Sequence, residues 1–381
     1  MSDPEPARIG INLLWLVPGE VGGSEEYTVR LLEAVAALDV DDIELILYVN
    51  RRFSAAHPEL VSRFTTRVAP VSGSSRGVRV LVESTWLALR TRIDRCRSVH
   101  HAGGTMPAVR SAPGIVTIHD LQPLTNPERF GPVKGAYIRS VVPRSLRKAR
   151  QVVALSEFVA ADVVARVGIA RARIALVPCG IDDPGAAVDM ARSAELLQRL
   201  GLHDHRFVIY PAITYPHKNH ATLVAAFARL TADDDDVRLV LTGGAGPSEE
   251  VLTSTIAAYG LESKVIRTGR IPEKDLDLLY RHASMLAFPS QYEGFGVPVL
   301  EAMARGCPVV ASDAASLPEV IGEAGLFVPA LDVARWADAM STVLADDALR
   351  TALVRKGFER ARLFSWPVSA EALLVLYREI R

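Results

Sequence analysis

Cysteine is scarce in this 381-residue chain: Cys96, Cys179 and Cys307 lie far apart, are odd in number and form no C-x-x-C pair. That pattern excludes a disulfide framework and a zinc ribbon. No apolar run reaches the roughly 18 residues of a transmembrane helix. The start, MSDPEPARIG, is polar and acidic and lacks the apolar h-region of a signal peptide. A formal net charge of −1 gives no electrostatic hold on a phosphate backbone, so nucleic acid is not an expected partner. Short-period repeats and low-complexity tracts are missing too. With 49% hydrophobic and 23% charged side chains, the composition excludes a disordered, collagen-like or coiled-coil chain. A soluble cytoplasmic protein is expected, and its length exceeds what one hydrophobic core usually serves, so two domains are expected.

What is present is a steady alternation of short β-branched apolar runs with amphipathic stretches. Strands are predicted at 8–14, 43–49, 114–118, 151–155 and 173–177, and then at 207–211, 237–242, 265–268, 285–288, 308–311 and 326–328. Helices are predicted between them, at 25–38, 80–95, 133–149 and 157–167 in the first half. In the second half they fall at 220–230, 248–259, 274–282, 297–305 and 335–344. Continuous apolar strands, each followed by a helix, imply parallel sheets buried on both faces, an α/β doubly wound architecture. Gly, Pro and Asp cluster in CGIDDPGAA, residues 179–187, which predicts the domain boundary there. The acidic tract TADDDD at 231–236 reads as a surface turn before a strand. Residues 1–185 carry a net +4 and residues 186–381 a net −5, too mild an asymmetry to assign a partner.

The densest chemistry lies in SQYEGFGVPVLEAMARGCPVVASD, residues 290–313. Glu293 ends a strand–loop passage, Gly294-Phe295-Gly296 follows, and a helix starts near Val297 with Pro298 in its first turn. Glycine lets backbone N–H groups approach a ligand closely, and a helix N-terminus favours an anion. Glu301 lies one turn inside that helix and can accept hydroxyl hydrogens on the same side. A phosphate-bearing, hydroxyl-rich ligand satisfies all these groups together; a capped helix with two solvated glutamates is the plainer alternative.

On these residues the chain resembles the retaining GT-B glycosyltransferases, family four in particular, whose signature of a glutamate, seven residues and a second glutamate is met by Glu293 and Glu301. YPAITYPHKNHATLVAAF (210–227), TGRIPEKDLDLLYRHASMLAFPS (268–290) and ASDAASLPEV (311–320) resemble further segments of that family, so the likeness runs over nearly the whole chain. It implies two Rossmann-like domains facing each other across a cleft. Residues 1–185 would be the acceptor side and 186–366 the nucleotide-sugar side, with 367–381 crossing back through Val368, Ala372, Leu373 and Leu376 to the first domain. It implies that Glu301 binds the ribose and Glu293 the donor sugar, and that the N–H groups of Phe295, Gly296 and Val297 hold sugar and phosphate. It implies as well that Ile271 packs on the base, that Lys218 neutralises the diphosphate, that Gly22-Gly23 touches the donor diphosphate or the acceptor, and that His119 stands beside the donor sugar. The chain departs from the family where an arginine is common: Ala212 and Ile213 stand at one place and His217 beside Lys218 at the other.

The implied reaction moves a hexose with retention of configuration by front-face attack, with no protein nucleophile, no metal and no cofactor beyond the nucleotide-sugar donor. A fixed ammonium at Lys218 would stabilise the charge that grows on the departing diphosphate. The form of 210–220 is most similar to mannosyltransferases that build bacterial surface polysaccharides. That implies GDP-mannose as donor and a lipid-linked or cell-envelope glycan as acceptor, with base choice resting on the loop around Ile271 and Glu273. A UDP-sugar-dependent glucosyl- or N-acetylglucosaminyltransferase, an epimerase of similar architecture, and a non-catalytic nucleotide-sugar-binding protein remain alternatives.

Weaker signals are set against plainer readings. His119 and Asp120 sit at the C-terminal end of a strand, where open α/β sheets place ligands. Gly243-Gly244-Ala245-Gly246 lacks the last glycine of a dinucleotide fingerprint, having Glu249 there, and reads as a turn flanking the donor site. Asp275 and Asp277 diverge on a helix, which argues against a metal pair. His100-His101 and His203/His205 read as solvated or capping residues, not zinc ligands. Residues 134–151 carry six basic and no acidic side chains on a helical pattern that Pro143 should kink or divide. That helix can meet an anionic membrane surface from the cytoplasmic side, or be an ordinary solvated face.

Overall fold

Strands buried on both faces decide the architecture. In Ala7–Leu13 (β1) the side chains of both faces, Ile9 and Ile11 on one and Asn12 on the other, are buried, because helices cover each side of the sheet. The computed structural model describes residues 5–380 except 21, 126–130, 183–188 and 233. The chain forms two compact units, residues 1–180 with 365–381 and residues 181–364. The expected boundary at 185/186 lies outside the described residues.

In the first unit β1 is joined by Ile43–Val49 (β2), Thr65–Val68 (β3), Ser98–His101 (β4), Gly114–Ile118 (β5), Gln151–Ala154 (β6) and Ile174–Leu176 (β7), in the spatial order β3-β2-β1-β4-β5-β6-β7. The second unit has Arg206–Pro211 (β8), Val237–Thr242 (β9), Val265–Gly269 (β10), Met285–Phe288 (β11), Val309–Ser312 (β12) and Gly325–Val328 (β13), in the order β10-β9-β8-β11-β12-β13. Every pairing in both sheets is parallel. The strand order reverses between β1 and β4 and between β8 and β11, and such a reversal opens a crevice at the C-terminal ends of the strands. All the sequence-derived candidates except Ile271 and Gly243 follow one of these strands, β5, or the helices next to them.

Several expectations are corrected. His100 and His101 are neither solvated nor caps: they end β4 and are buried. His100 lies between the Tyr377 hydroxyl (2.6 Å) and Thr117 (2.7 Å), and His101 Nδ1 is 3.1 Å from the Asn12 amide. Burial pushes both imidazoles down to about 3, so both are neutral at ordinary pH. Pro143 does not divide its helix, Pro132–Lys148, which runs through it. The single helix expected at 80–95 is Arg76–Val82, a π-helical turn Glu83–Leu87 and Ala88–Ile93. The last helix, Trp366–Glu379, belongs to the first unit and packs on helix Gly23–Ala37. It buries Ser369, Ala370, Leu373, Leu374, Leu376 and Tyr377, whereas Val368, expected inside, is exposed. Gly180 makes the return possible, since a Cβ there would stand 2.3 Å from the Trp366 nitrogen.

Candidate functional site

At the reversal point of the second sheet, the loops after β8 and β11 are stitched together. Tyr210, buried at the end of β8, donates its hydroxyl to the Lys218 carbonyl at 2.6 Å. The His217 carbonyl accepts the Gln291 N–H at 2.8 Å. Asn219, left-handed at φ 57°, donates from Nδ2 to the carbonyls of Pro289 (3.2 Å) and Ala330 (2.7 Å). These bonds fix the turn Pro216–Lys218 and aim Lys218 Nζ at Glu293 Oε1, 2.6 Å away. Both side chains are largely sheltered, at 18% and 12% exposure. Charges this close and this sheltered interact far more strongly than a surface pair.

Two helices start beside this ion pair. His220–Leu230 follows Asn219, and Val297–Ala304 follows Gly296. Gly296 has φ 99°, a conformation that favours glycine, and a Cβ there would come within 2.7 Å of Leu317 Cδ2, which would have to move aside. The Ser316 hydroxyl bonds the Glu293 (3.0 Å) and Phe295 (2.9 Å) carbonyls, and Phe295 is buried edge-on to Phe364, holding Gly294 and Val297 in the same passage. Glu301, one turn along, accepts the Tyr280 hydroxyl at 2.9 Å. Tyr280 stands on Glu273–His282, the helix that follows partly exposed Ile271, so the segment after β10 is tied to the helix after β11. Gly243, at φ 125° after β9, leaves no room for a Cβ, which would sit 2.5 Å from the Ala212 carbonyl. Thr214 accepts the Gly246 N–H at 2.6 Å and donates to Glu249 at 2.8 Å, closing the same pair of loops. His217 stacks on Tyr215, with ring planes 16° apart. A cation, two helix N-termini and two carboxylates on neighbouring elements suit an anionic ligand with many hydroxyls.

In the first unit His119 follows β5. Its Nε2 is 3.2 Å from the Ala102 carbonyl, and its ring meets Tyr27 edge-on at 5.3 Å and Trp15 at 6.5 Å. Burial lowers its pKa to about 4, partly opposed by that carbonyl, so the imidazole is neutral. Tyr27 stands on helix Gly23–Ala37, which starts after Gly22 at φ 63°; a Cβ on Gly23 would meet open space.

Residues 194–360 match the family model described as Glycosyl transferases group 1, and residues 21–183 match that described as Glycosyltransferase Family 4. The chain belongs to the group-1 glycosyltransferases. It is 30% identical over 253 residues to O-antigen chain mannosyltransferase B of Escherichia coli, covering 66% of each chain. It is 34% identical over 228 residues to D-inositol 3-phosphate glycosyltransferase of Corynebacterium efficiens, covering 58% of this chain and 54% of that one. The match thus spans less than two thirds of either curated relative. Among solved structures, Anabaena HepE in complex with UDP and glucose superposes with a TM-score of 0.76 at 19% identity, over 98% of this chain and 100% of that one. The fold is the two-domain parallel α/β architecture of GT-B glycosyltransferases.

Within this group-1 glycosyltransferase the discounted signals find structural employment. Asp275 is held by Arg192 (2.6 Å) and Arg199 (3.2 Å), which keep its carboxyl below the usual range, and Asp277 is held by Arg281 (2.8 Å) and Arg305 (2.5 Å). No group of metal-ligating side chains occurs among the described residues. His203 and His205 pair with Asp204 and Asp236 at the surface. Asn219, Tyr210, Tyr280 and Thr214 escaped the sequence reading. The signal that could have found Asn219 is an asparagine directly before a helix, a residue that tolerates the left-handed region. Tyr280 leaves no local signal.

Proposed function

We propose that the protein transfers mannose from GDP-mannose, with retention of configuration and without a metal, to a lipid-linked or cell-envelope glycan. The observation that carries this reading is the sheltered Lys218–Glu293 pair between two helix N-termini at the sheet's reversal point. A diphosphate arriving there meets an ammonium and the positive ends of two helix dipoles, which stabilise the charge that builds as the glycosidic bond breaks. Glu293 then faces the hexose hydroxyls, and Glu301, braced by Tyr280, accepts from the ribose. The N–H groups of Phe295, Gly296 and Val297 hold sugar and phosphate, Gly243 and Ile271 flank the base side, and His217 lies beside the phosphates. For the first unit, His119, neutral, and Gly22-Gly23 are assigned to the donor on the family likeness alone. The departing phosphate oxygen takes the acceptor proton, so no carboxylate is needed as base.

Mannose is supported by the O-antigen mannosyltransferase relative, and a cell-envelope acceptor by the same likeness. A second reading, a UDP-sugar donor, is favoured by the HepE neighbour and its bound UDP and glucose. The test is a thermal-shift titration with GDP and UDP, followed by a nucleotide-sugar panel with a polyprenyl-linked glycan acceptor and NMR of the product anomer. Stabilisation by GDP and acceptor-dependent α-mannosyl product are expected. Stabilisation by UDP alone overturns the GDP-mannose reading, and nucleotide binding without turnover on any donor makes this a non-catalytic binding protein.

A further inference from the structure

Most arginines of the second unit are spent on carboxylates or carbonyls. Among its described residues, Arg229, Arg270 and Arg362 are the arginines whose side chains make no hydrogen bond or ion pair with a described residue. Arg229 lies in the last turn of helix His220–Leu230, and Arg362 follows helix Asp347–Ala361. Arg270 differs from both. It directly follows β10 at the C-terminal edge of the sheet, where an open α/β sheet takes its ligand. The register of β10 on β9 shifts between Arg267 and Gly269, and Gly269 then turns with φ 67°. The Gly269 carbonyl accepts the Gly243 N–H at 2.9 Å, which draws the turn after β9 against Arg270. A Cβ on Gly244 would lie 3.4 Å from Arg270 Nε and 3.9 Å from its Cγ, so the exposed side chain runs along this turn, next in the chain to Ile271. Glu249, which starts the helix after the turn, is already taken by Arg267 and by the Thr214 hydroxyl (2.8 Å).

We infer that Arg270 selects the base of the donor, its guanidinium fork pairing with O6 and N7 of guanine. The inference rests on the nucleotide-sugar reading above and names the side chain that chooses between nucleotides. Two adjacent acceptors on that edge of guanine match two parallel N–H groups of a guanidinium. Uracil offers no such pair, since its two carbonyls flank an N–H donor. A role on the diphosphate fits poorly. Neighbouring strands lie about 4.8 Å apart, and β10 is two strands from β8 and three from β11, the strands that lead to Lys218 and Glu293. The end of β10 is therefore roughly 10 Å across the sheet from the end of β8. It stands on the side where Ile271 and Gly243 flank the base, and glycine at 244 keeps that face of the turn free of a further side chain.

The test is calorimetric titration of the full chain with GDP, UDP and 7-deaza-GDP, in which a C–H replaces N7. Wild type, Arg270→Ala and Arg270→Lys are compared, with melting curves confirming that each variant is folded. Wild type is expected to bind GDP roughly tenfold more tightly than UDP and than 7-deaza-GDP. Arg270→Ala should lose about tenfold in GDP affinity, keep its UDP affinity, and no longer distinguish GDP from 7-deaza-GDP. Arg270→Lys should not restore the preference, because an ammonium is a point charge and not a fork. Equal loss of GDP and UDP affinity in the alanine variant, regained with lysine, puts Arg270 on the phosphates and overturns the proposal. A GDP preference that survives the alanine overturns it too, and in both cases the donor site itself stands. Wild-type binding of UDP alone overturns the GDP reading, and this proposal falls with it.

Discussion

Lys218 is paired with Glu293 before any diphosphate arrives, and the donor has to take over a partner already in place. Removing the ammonium leaves a sheltered carboxylate unpaired next to an incoming anion. Lys218→Ala is therefore expected to lower kcat by about 10²–10³, as loss of a preorganised charge-stabilising donor does, while EDTA leaves the wild-type rate unchanged. Activity lost in EDTA and restored by magnesium or manganese would overturn the metal-free reading. Glu301→Ala is the complementary case, expected to weaken donor binding by about 1.5–3 kcal/mol with the melting temperature nearly kept; unchanged affinity by calorimetry removes Glu301 from the ribose. The buried histidines give a pH dependence. His100 and His101 have pKa values near 3 and His119 near 4 in the folded state, against an ordinary 6.5. The unfolded chain thus binds more protons between pH 6.5 and 4, and the folded state loses stability as pH falls through that window. The slope is at most roughly 1.4 kcal/mol per pH unit for each histidine. Chemical denaturation at pH 7, 6 and 5 checks this, and stability that is flat or rises on acidification contradicts it.

At the scale of elements, the second unit's site is a set of loop-to-loop closures, and glycines mark where the backbones come closest. Gly243 lies against the Ala212 carbonyl with a positive φ, so Gly243→Ala meets both a steric conflict and strain of about 1–3 kcal/mol. A lower melting temperature is expected together with weaker donor binding, because residues 212–218 carry Lys218. An alanine variant that melts and binds donor as wild type would show that the closure is dispensable. The same closures explain what was legible in sequence. Glu293, Glu301 and Lys218 stand out because each rides on a strand–turn–helix passage whose glycine and proline pattern is local. Asn219 and Tyr280 do not, since their partners Ala330 and Glu301 lie 111 and 21 positions away. Strand periodicity read most of both sheets, but β4 was masked by two histidines that look polar and are buried. Edge strand β3, TTRV, has no apolar face to read. The π-helical turn was equally hidden, because an unbroken α-helix and an α–π–α passage differ in winding and not in composition.

For the whole molecule, the decisive feature is that the chain passes between two separately cored units at 180/181 and at 364/365, so that its last helix stabilises the unit that does not hold Lys218, Glu293 or Glu301. Tyr377 of that helix donates or accepts a 2.6 Å bond with His100 in the middle of the first sheet, and Arg378 pairs with Asp42 at 3.0 Å at its end. Tyr377→Phe keeps the ring and its packing but leaves a buried imidazole nitrogen unpaired, at a cost of about 1–3 kcal/mol. That cost falls on the first unit alone. A nucleotide that binds through Lys218 and Glu301 stabilises the second unit, by an amount set by its concentration relative to its Kd. Calorimetric unfolding should therefore resolve two responses: GDP raises one transition, and Tyr377→Phe lowers the other without changing the GDP-induced shift. If the substitution and the nucleotide move the same transition, the units unfold as one, and the energetic independence inferred from their separate cores is wrong.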